Sequence, residues 1–147
     1  MGNGKGDKER PKNREKWEKN YERIFRKKRT RKAKDKIFSE FVRKKSGGVC
    51  EYCQKPVGYK RLQASHYFGR RNKSLRWDER NVSALCFTCH MVIMTENPFH
   101  HTKWMKKKLG TAGFGRLVRT SNRIKKWTKQ DLKALRVDLR KKIKELE

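Results

Sequence analysis

Four cysteines form two closely spaced pairs along the chain. Cys50 and Cys53 make the first CxxC pair, Cys86 and Cys89 make the second, and 32 residues separate the pairs. Two residues between thiols allow a tight turn to point both sulfurs at one ion, and four thiolates around Zn²⁺ make a closed, tetrahedral, structural site. The alternative is a set of unrelated redox or buried pairs. The spacing favours a Cys₄ zinc site with a folded insertion between its halves.

Three polar residues lie at informative positions around the second cysteine pair. His66 ends a predicted strand, Asn81 begins the next strand, and His90 directly follows Cys89. The order strand, loop, strand, helix would bring the two histidines to face each other across a small cleft. The zinc site would hold the two layers together from outside that cleft.

These residue types suit hydrolysis of a phosphodiester. A neutral histidine such as His66 can take a proton from water, because the intrinsic pKa of imidazole lies near neutrality. A divalent ion held by His90 can stabilise charge on the leaving oxygen. The amide of Asn81 can bond to backbone and hold the loop. The same loop carries five basic residues that could grip flanking phosphates and favour neutral His66: Arg70, Arg71, Lys73, Arg76 and Arg80.

Each of these residues also has a structural interpretation. His90 could be a spectator beside the zinc site, His66 could cap a strand, and Asn81 could terminate the loop. The arginines could form a solvated binding face. His100 and His101 are expected at the surface or in contact with phosphate. The order of the three residues between and beside two CxxC pairs favours the chemical interpretation.

The charge of the chain limits the function classes. Its 147 residues include 43 Lys or Arg and 15 Asp or Glu, for a formal net charge of +28. This length fits one compact domain with extensions. So large a charge demands an anionic partner, most often a phosphate backbone, and nearly excludes an ordinary metabolic enzyme. We expect no membrane span, since that needs roughly 20 apolar residues, and no secretory signal, since the N-terminus is polar.

Helices are expected on both sides of the predicted site. The first dozen residues are expected to be disordered. Apolar residues at helical spacing and the capping signals then predict further elements. Before the first cysteine pair, these are a basic helix through Trp17, Tyr21, Ile24 and Phe25 and a second helix over 33–45. Two strands, over 62–68 and 82–85, follow. After them come a helix from about Phe87, a helix from Pro98 to Gly110, and a C-terminal helix after Thr128 and Asp131.

The predicted domain organisation has three parts. Residues 1–30 form a basic arm, residues 31–110 form a zinc-stapled core with a leading helix, and residues 111–147 form a helical extension. Residues 1–45 alone hold 19 basic and 7 acidic residues. The apolar stripe of the last helix could be core or the seam of a homodimer.

The pattern of cysteines, His66, Asn81 and His90 resembles the zinc-stapled HNH endonucleases, which have an α+β, ββα-metal fold. The chain is most similar to one branch, the phage recombination nucleases called Rap or NinG, which cut branched recombination intermediates. Three segments carry this closer likeness: Ser65-His66-Tyr67, Arg76-Trp77-Asp78-Glu79-Arg80-Asn81, and Asn122-Arg123 with Trp127-Thr128 and the amphipathic helix that follows.

The resemblance implies a role for each site residue. His66 would be the general base, Asn81 the positioning residue, and His90 a ligand of a catalytic Mg²⁺ or Mn²⁺, with other divalent ions possible. The partner would be duplex or branched DNA, in the cytoplasm of a bacterial host. Two departures stand out. Ser65 occupies the place where most HNH enzymes have an Asp or His ligand, and His90 stands where the branch often has Asn; Asn97 matches a recurrent Asn of the branch.

Two function classes follow from the sequence. The first is a metal-dependent DNA endonuclease, which the ordered set His66, Asn81 and His90 favours. The second is a non-catalytic, zinc-containing nucleic-acid-binding protein, which the composition alone would explain. An exchangeable second metal near His90 would discriminate between them, because a simple binding module has no use for one.

Overall fold

The computed structural model describes residues 13–147, apart from the side chains of residue 14 and residues 25–31. The chain divides into two compact units, residues 1–33 and residues 34–147. The first dozen residues, which the sequence predicts to be disordered, lie outside the described residues. Both cysteine pairs and all three candidate site residues belong to the second unit.

Helix α1 spans Arg14–Lys45 as one element. The prediction of two separate helices before the first cysteine pair is therefore wrong, because residues 26–32 are Arg, Lys and Thr, with no Gly or Pro to end a helix. The helix ends at Lys45, the last residue of the predicted range 33–45. The φ of 63° at Gly47 is typical of a residue just beyond a helix C-terminus. Phe38, Phe41 and Val42 of this helix are buried.

Within residues 13–147, the chain forms a two-stranded antiparallel sheet, and this sheet carries the candidate site. Strand β1 spans Gln63–His66 and strand β2 spans Val82–Leu85, so β1 is shorter than the predicted 62–68. Gln63 lies opposite Leu85, and His66 lies opposite Val82. All four residues of β2 are buried, and Val82, Ala84 and Leu85 belong to the same core as Phe38 of α1.

The segment after β2 is helical from Phe87, as predicted. Residues Cys89–Thr95 within it form a π-helix, a wider turn that often marks functional sites. Helix α2 then spans Pro98–Ser121, with Pro at its start as predicted. The predicted end at Gly110 is a kink, where φ 68° and ψ 163° leave the helical region, and helical structure resumes beyond it.

Helix α3 spans Lys129–Lys144 and begins with the predicted capping box of Thr128 and Asp131. Leu139 of this helix is buried in the same core as Phe38 of α1. Leu146, the last member of the predicted apolar stripe, lies beyond the helix and is 45% exposed. None of the helices within residues 13–147 is long and apolar enough to cross a membrane.

Asp35 of α1 joins this helix to the loop between the two strands. Its carboxylate accepts hydrogen bonds from Nε and Nη2 of Arg76, at 2.9 and 2.5 Å, and from Nε1 of Trp77 at 3.0 Å. The side chains of Asp35 and Arg76 are only 17% and 18% exposed. The ion pair is therefore shielded from solvent, and removing one partner would leave a poorly solvated charge.

Asp35→Ala should accordingly lower the free energy of unfolding by about 2 kcal/mol, because it strands the guanidinium of Arg76 and the indole N–H of Trp77. Urea denaturation measures this. The control is Asp138→Ala on α3, which removes an exposed pair with Lys142 and should cost less than about 0.5 kcal/mol. Equal small losses for both variants would contradict the bracing role of Asp35.

Candidate active site and metal centre

The four cysteine sulfurs converge on one point. All four lie within 4.8 Å of one another, and Cys50 and Cys89 are buried. The backbone amide of Glu51 donates to the carbonyl of Ala84 at 2.9 Å, which joins the first pair to β2. The second pair follows β2 directly. The four cysteines are thus positioned to bind a metal ion, consistent with a structural zinc site.

The protonation behaviour of the thiols fits a cation at this point. Burial opposes ionisation of Cys50, yet backbone amides, including those of Cys53 and Cys86, lower its pKa to about 7. Burial and the neighbouring thiols raise the pKa of Cys89. Four thiolates this close repel one another, and a divalent cation removes that repulsion.

His66 is the last residue of β1, and its ring is held by the loop. Nε2 of His66 lies 3.0 Å from the carbonyl oxygen of Arg76. Because a carbonyl only accepts, Nε2 carries a proton, and Nδ1 is the nitrogen that can receive one. Burial lowers the pKa of His66, and the charge of Arg70 lowers it further, against the opposing effect of the Arg76 carbonyl. Burial and Arg70 therefore both favour the neutral ring.

Asn81 is fully buried and bonds the loop at both ends. Its Oδ1 accepts from the backbone amide of Phe68 at 2.8 Å, and its Nδ2 donates to the carbonyls of Phe68 and Leu75, at 2.8 and 3.1 Å. The expectation that the Asn81 amide bonds to backbone is therefore confirmed. These bonds fix the loop that supplies the carbonyl for His66.

His90 lies in the first turn of the π-helix, directly after Cys89. Its Nδ1 lies 2.6 Å from Oε1 of Gln63 on β1. Burial lowers the pKa of His90, and the charge of Arg70 adds to this effect. The guanidinium of Arg70 thus lowers the pKa of both His66 and His90.

Ser65 and Asn97 are two further positions that the resemblance to HNH endonucleases singles out. Ser65 is 3% exposed and lies opposite Ser83 in the sheet. Asn97 caps α2, because its Oδ1 accepts from the backbone amide of His100 at 2.9 Å. The side-chain oxygen of Asn97 is thus already engaged at the helix N-terminus.

The five basic residues of the loop fall into two groups. Arg70, Arg71 and Lys73 are exposed. Arg76 is turned inward onto Asp35 and also donates to the carbonyl of Arg70 at 3.0 Å, so it braces the loop. Arg80 is half exposed and pairs with Asp78 at 2.6 Å. The exposed group is the part of the loop open to an anionic partner.

His101 is buried, so its expected place at the surface is wrong. Its ring packs edge-on against Tyr67, with centroids 5.0 Å apart, and is 8% exposed. Burial and the nearby charges of His90 and His100 lower the pKa of His101 to about 4. His100 is half-buried, and its Nε2 lies 2.7 Å from the hydroxyl of Tyr52.

Two residues that contact the candidate site were missed by sequence reasoning. Gln63 meets His90, and Asp35 holds the Arg76 segment that binds His66. Strand alternation could have placed Gln63 on the same face as Ser65. No local signal identifies Asp35, whose partners lie about 40 positions further along the chain.

Comparison with known proteins gave one family. The family model described as Bacteriophage Lambda NinG protein matches residues 2–147, which is nearly the whole chain. No curated protein and no solved structure matched.

One zinc ion per chain is the expected content of the cysteine site. Cys86→Ser should reduce that content and lower the thermal transition of the domain, because the metal links the first cysteine pair to the end of β2. Elemental analysis and circular dichroism measure the two effects. After a chelator has removed the metal from the wild-type protein, adding Zn²⁺ should restore the thermal transition, and adding Mg²⁺ should not. A metal-free protein with an unchanged thermal transition would contradict a structural metal.

Proposed function

We propose that this chain, which belongs to the Bacteriophage Lambda NinG protein family, is a metal-dependent DNA endonuclease of the HNH type. Its proposed substrate is duplex or branched DNA, such as a recombination intermediate. The observation that carries the proposal is the hydrogen bond from Nε2 of His66 to the carbonyl of Arg76, which leaves Nδ1 as a proton acceptor.

His66 would act as the general base. Nδ1 would take a proton from a water molecule while the water oxygen bonds to phosphorus and the bond from phosphorus to the 3′ oxygen breaks. The departing 3′ oxygen would gain its proton from solvent, leaving a 3′ hydroxyl and a 5′ phosphate. Asn81 would act as a positioning residue, since its amide fixes the loop that aims the His66 ring.

His90 would hold a divalent ion through Nε2, the nitrogen not bonded to Gln63. Mg²⁺ and Mn²⁺ fit this role best, although imidazole also suits Zn²⁺ and Ni²⁺. Such an ion, when bound, stabilises the charge that develops on the phosphate and leaving oxygens. The hydroxyl of Ser65 is a poor ligand, so water or a DNA phosphate would complete the coordination.

The exposed residues Arg70, Arg71 and Lys73 would grip phosphates flanking the cut. Backbone contacts of this kind carry no sequence information, so binding should weaken steeply with salt. Arg76 is better suited to bracing than to phosphate contact, because Asp35 already occupies its guanidinium.

A non-catalytic, zinc-containing nucleic-acid-binding protein is the second candidate. Ser65 favours it, since this buried serine occupies the position where most HNH enzymes have a second metal ligand. The net charge of +28 would serve either function. A second metal that mild chelation removes without unfolding the protein would support the nuclease.

His66→Ala tests the proposed base. At saturating DNA, the nicking rate with Mg²⁺ or Mn²⁺ should fall by about 100-fold or more, because general-base catalysis is lost. The affinity for DNA and the zinc content should remain unchanged, since the ring makes a single bond to the loop. A variant that nicks supercoiled and four-way DNA as fast as wild type would refute the assignment of His66.

The pH dependence of kcat/KM reports the protonation of the free enzyme. Because His66 works as a base only when neutral, kcat/KM should rise with pH through the lowered pKa of His66 and then level off. Arg70→Gln removes one cause of the lowered pKa, so it should move the acid limb to higher pH. Arg71→Gln should weaken DNA binding but leave the acid limb of the pH profile at the same pH as in wild type. Acid limbs at the same pH in both variants would contradict the proposed effect of Arg70 on His66.

A further inference from the structure

We infer that Gln63 is a positioning residue that sets which nitrogen of His90 carries the proton and thereby presents Nε2 to a divalent cation. This inference rests on the proposed function, in which His90 is a metal ligand. It goes further because it names the residue that determines how His90 would face the metal ion. That residue, Gln63, lies on a different element, as the first residue of β1.

The contact between the two side chains is short and directional. Nδ1 of His90 lies 2.6 Å from Oε1 of Gln63. An amide oxygen only accepts a hydrogen bond, so Nδ1 must be the protonated nitrogen of the neutral ring. The lone pair is then on Nε2, the atom that a metal ion would need.

The sheet explains why Gln63 can reach His90. Side chains alternate along a strand, so Gln63 and Ser65 lie on one face of β1 and His66 on the other. Gln63 pairs with Leu85, after which the chain passes through the second cysteine pair to His90. The strand start is therefore beside the first turn of the π-helix.

The backbone of His90 is fixed as well as its ring. Its amide donates to the carbonyl of Cys86 at 2.9 Å, and its carbonyl accepts from the hydroxyl of Thr95 at 2.8 Å. The backbone is held by these two bonds, and the bond to Gln63 constrains how the ring is turned.

A second hydrogen bond of this kind is general for metal-binding histidines. The acceptor holds the ring in one tautomer and raises the basicity of the coordinating nitrogen, and its loss typically weakens metal affinity by about 10–100-fold. A carboxylate at the same place accepts more strongly than an amide. Substitutions at residue 63 can therefore either remove the acceptor or strengthen it, and each has a predicted effect on the metal affinity of His90.

The test compares Gln63→Met, which keeps the length but removes the acceptor, with Gln63→Glu, which keeps an acceptor. Two quantities are measured on zinc-loaded full-length protein: the tautomer of His90 by side-chain ¹⁵N NMR, and the affinity for Mn²⁺ by calorimetry. Gln63→Met should lose the Nδ1–H preference and bind Mn²⁺ about 10–100-fold more weakly. Gln63→Glu should keep the tautomer and bind at least as tightly as wild type.

Gln130→Met is the matched control, because Gln130 is exposed on α3; it should change neither quantity. An unchanged tautomer and Mn²⁺ affinity in folded Gln63→Met would overturn the inference. If that variant misfolds, the wild-type spectrum decides, since a proton on Nε2 of His90 would also overturn it. Wild type that binds Mn²⁺ through His90 as described but cuts no DNA would refute the proposed function and leave the role of Gln63 intact.

Discussion

The convergence of four cysteine sulfurs within 4.8 Å is the constraint on which the second unit of the chain depends. The sheet described here has two strands of four residues each, and so small a sheet is marginal without further support. A metal at the cysteines would link the turn at residues 50–53 to the junction of β2 and the π-helix. That link fixes both the hairpin and the point where His90 leaves it.

The two candidate histidines share a design that the hairpin makes possible. Each uses one ring nitrogen for a bond to a fixed oxygen: the carbonyl of Arg76 for His66, and the amide oxygen of Gln63 for His90. The other nitrogen of each ring is thereby left for chemistry. Asn81 and Asp35 support this arrangement indirectly. Asn81 closes the loop that carries Arg76, and Asp35 holds the side chain of Arg76. These bonds connect the loop to α1, to β1 and to both candidate residues, His66 and Asn81.

The features that the sequence predicted depend on local signals. The two CxxC pairs, the capping box of α3 and strand β2 all follow from residues close together in the chain. The features that it missed depend on tertiary packing. The π-helix, the burial of His101 against Tyr67, and the contacts of Gln63 and Asp35 each require distant segments to be brought together. The unbroken α1 differs from the prediction for another reason: residues 26–32 include no apolar side chain, but they also include no residue that ends a helix.

Cleavage of DNA as a function of Mn²⁺ concentration tests the central claim most directly. Zinc-loaded protein, in single-turnover reactions with linear and four-way DNA, should cut only when Mn²⁺ is supplied. A chelator at a level that leaves the cysteine-bound zinc in place should abolish cutting reversibly, and His90→Ala should require a higher Mn²⁺ concentration. Folded, zinc-loaded protein that binds both DNAs yet cuts neither at any concentration of Mn²⁺ or Mg²⁺ would contradict the account and favour a binding protein.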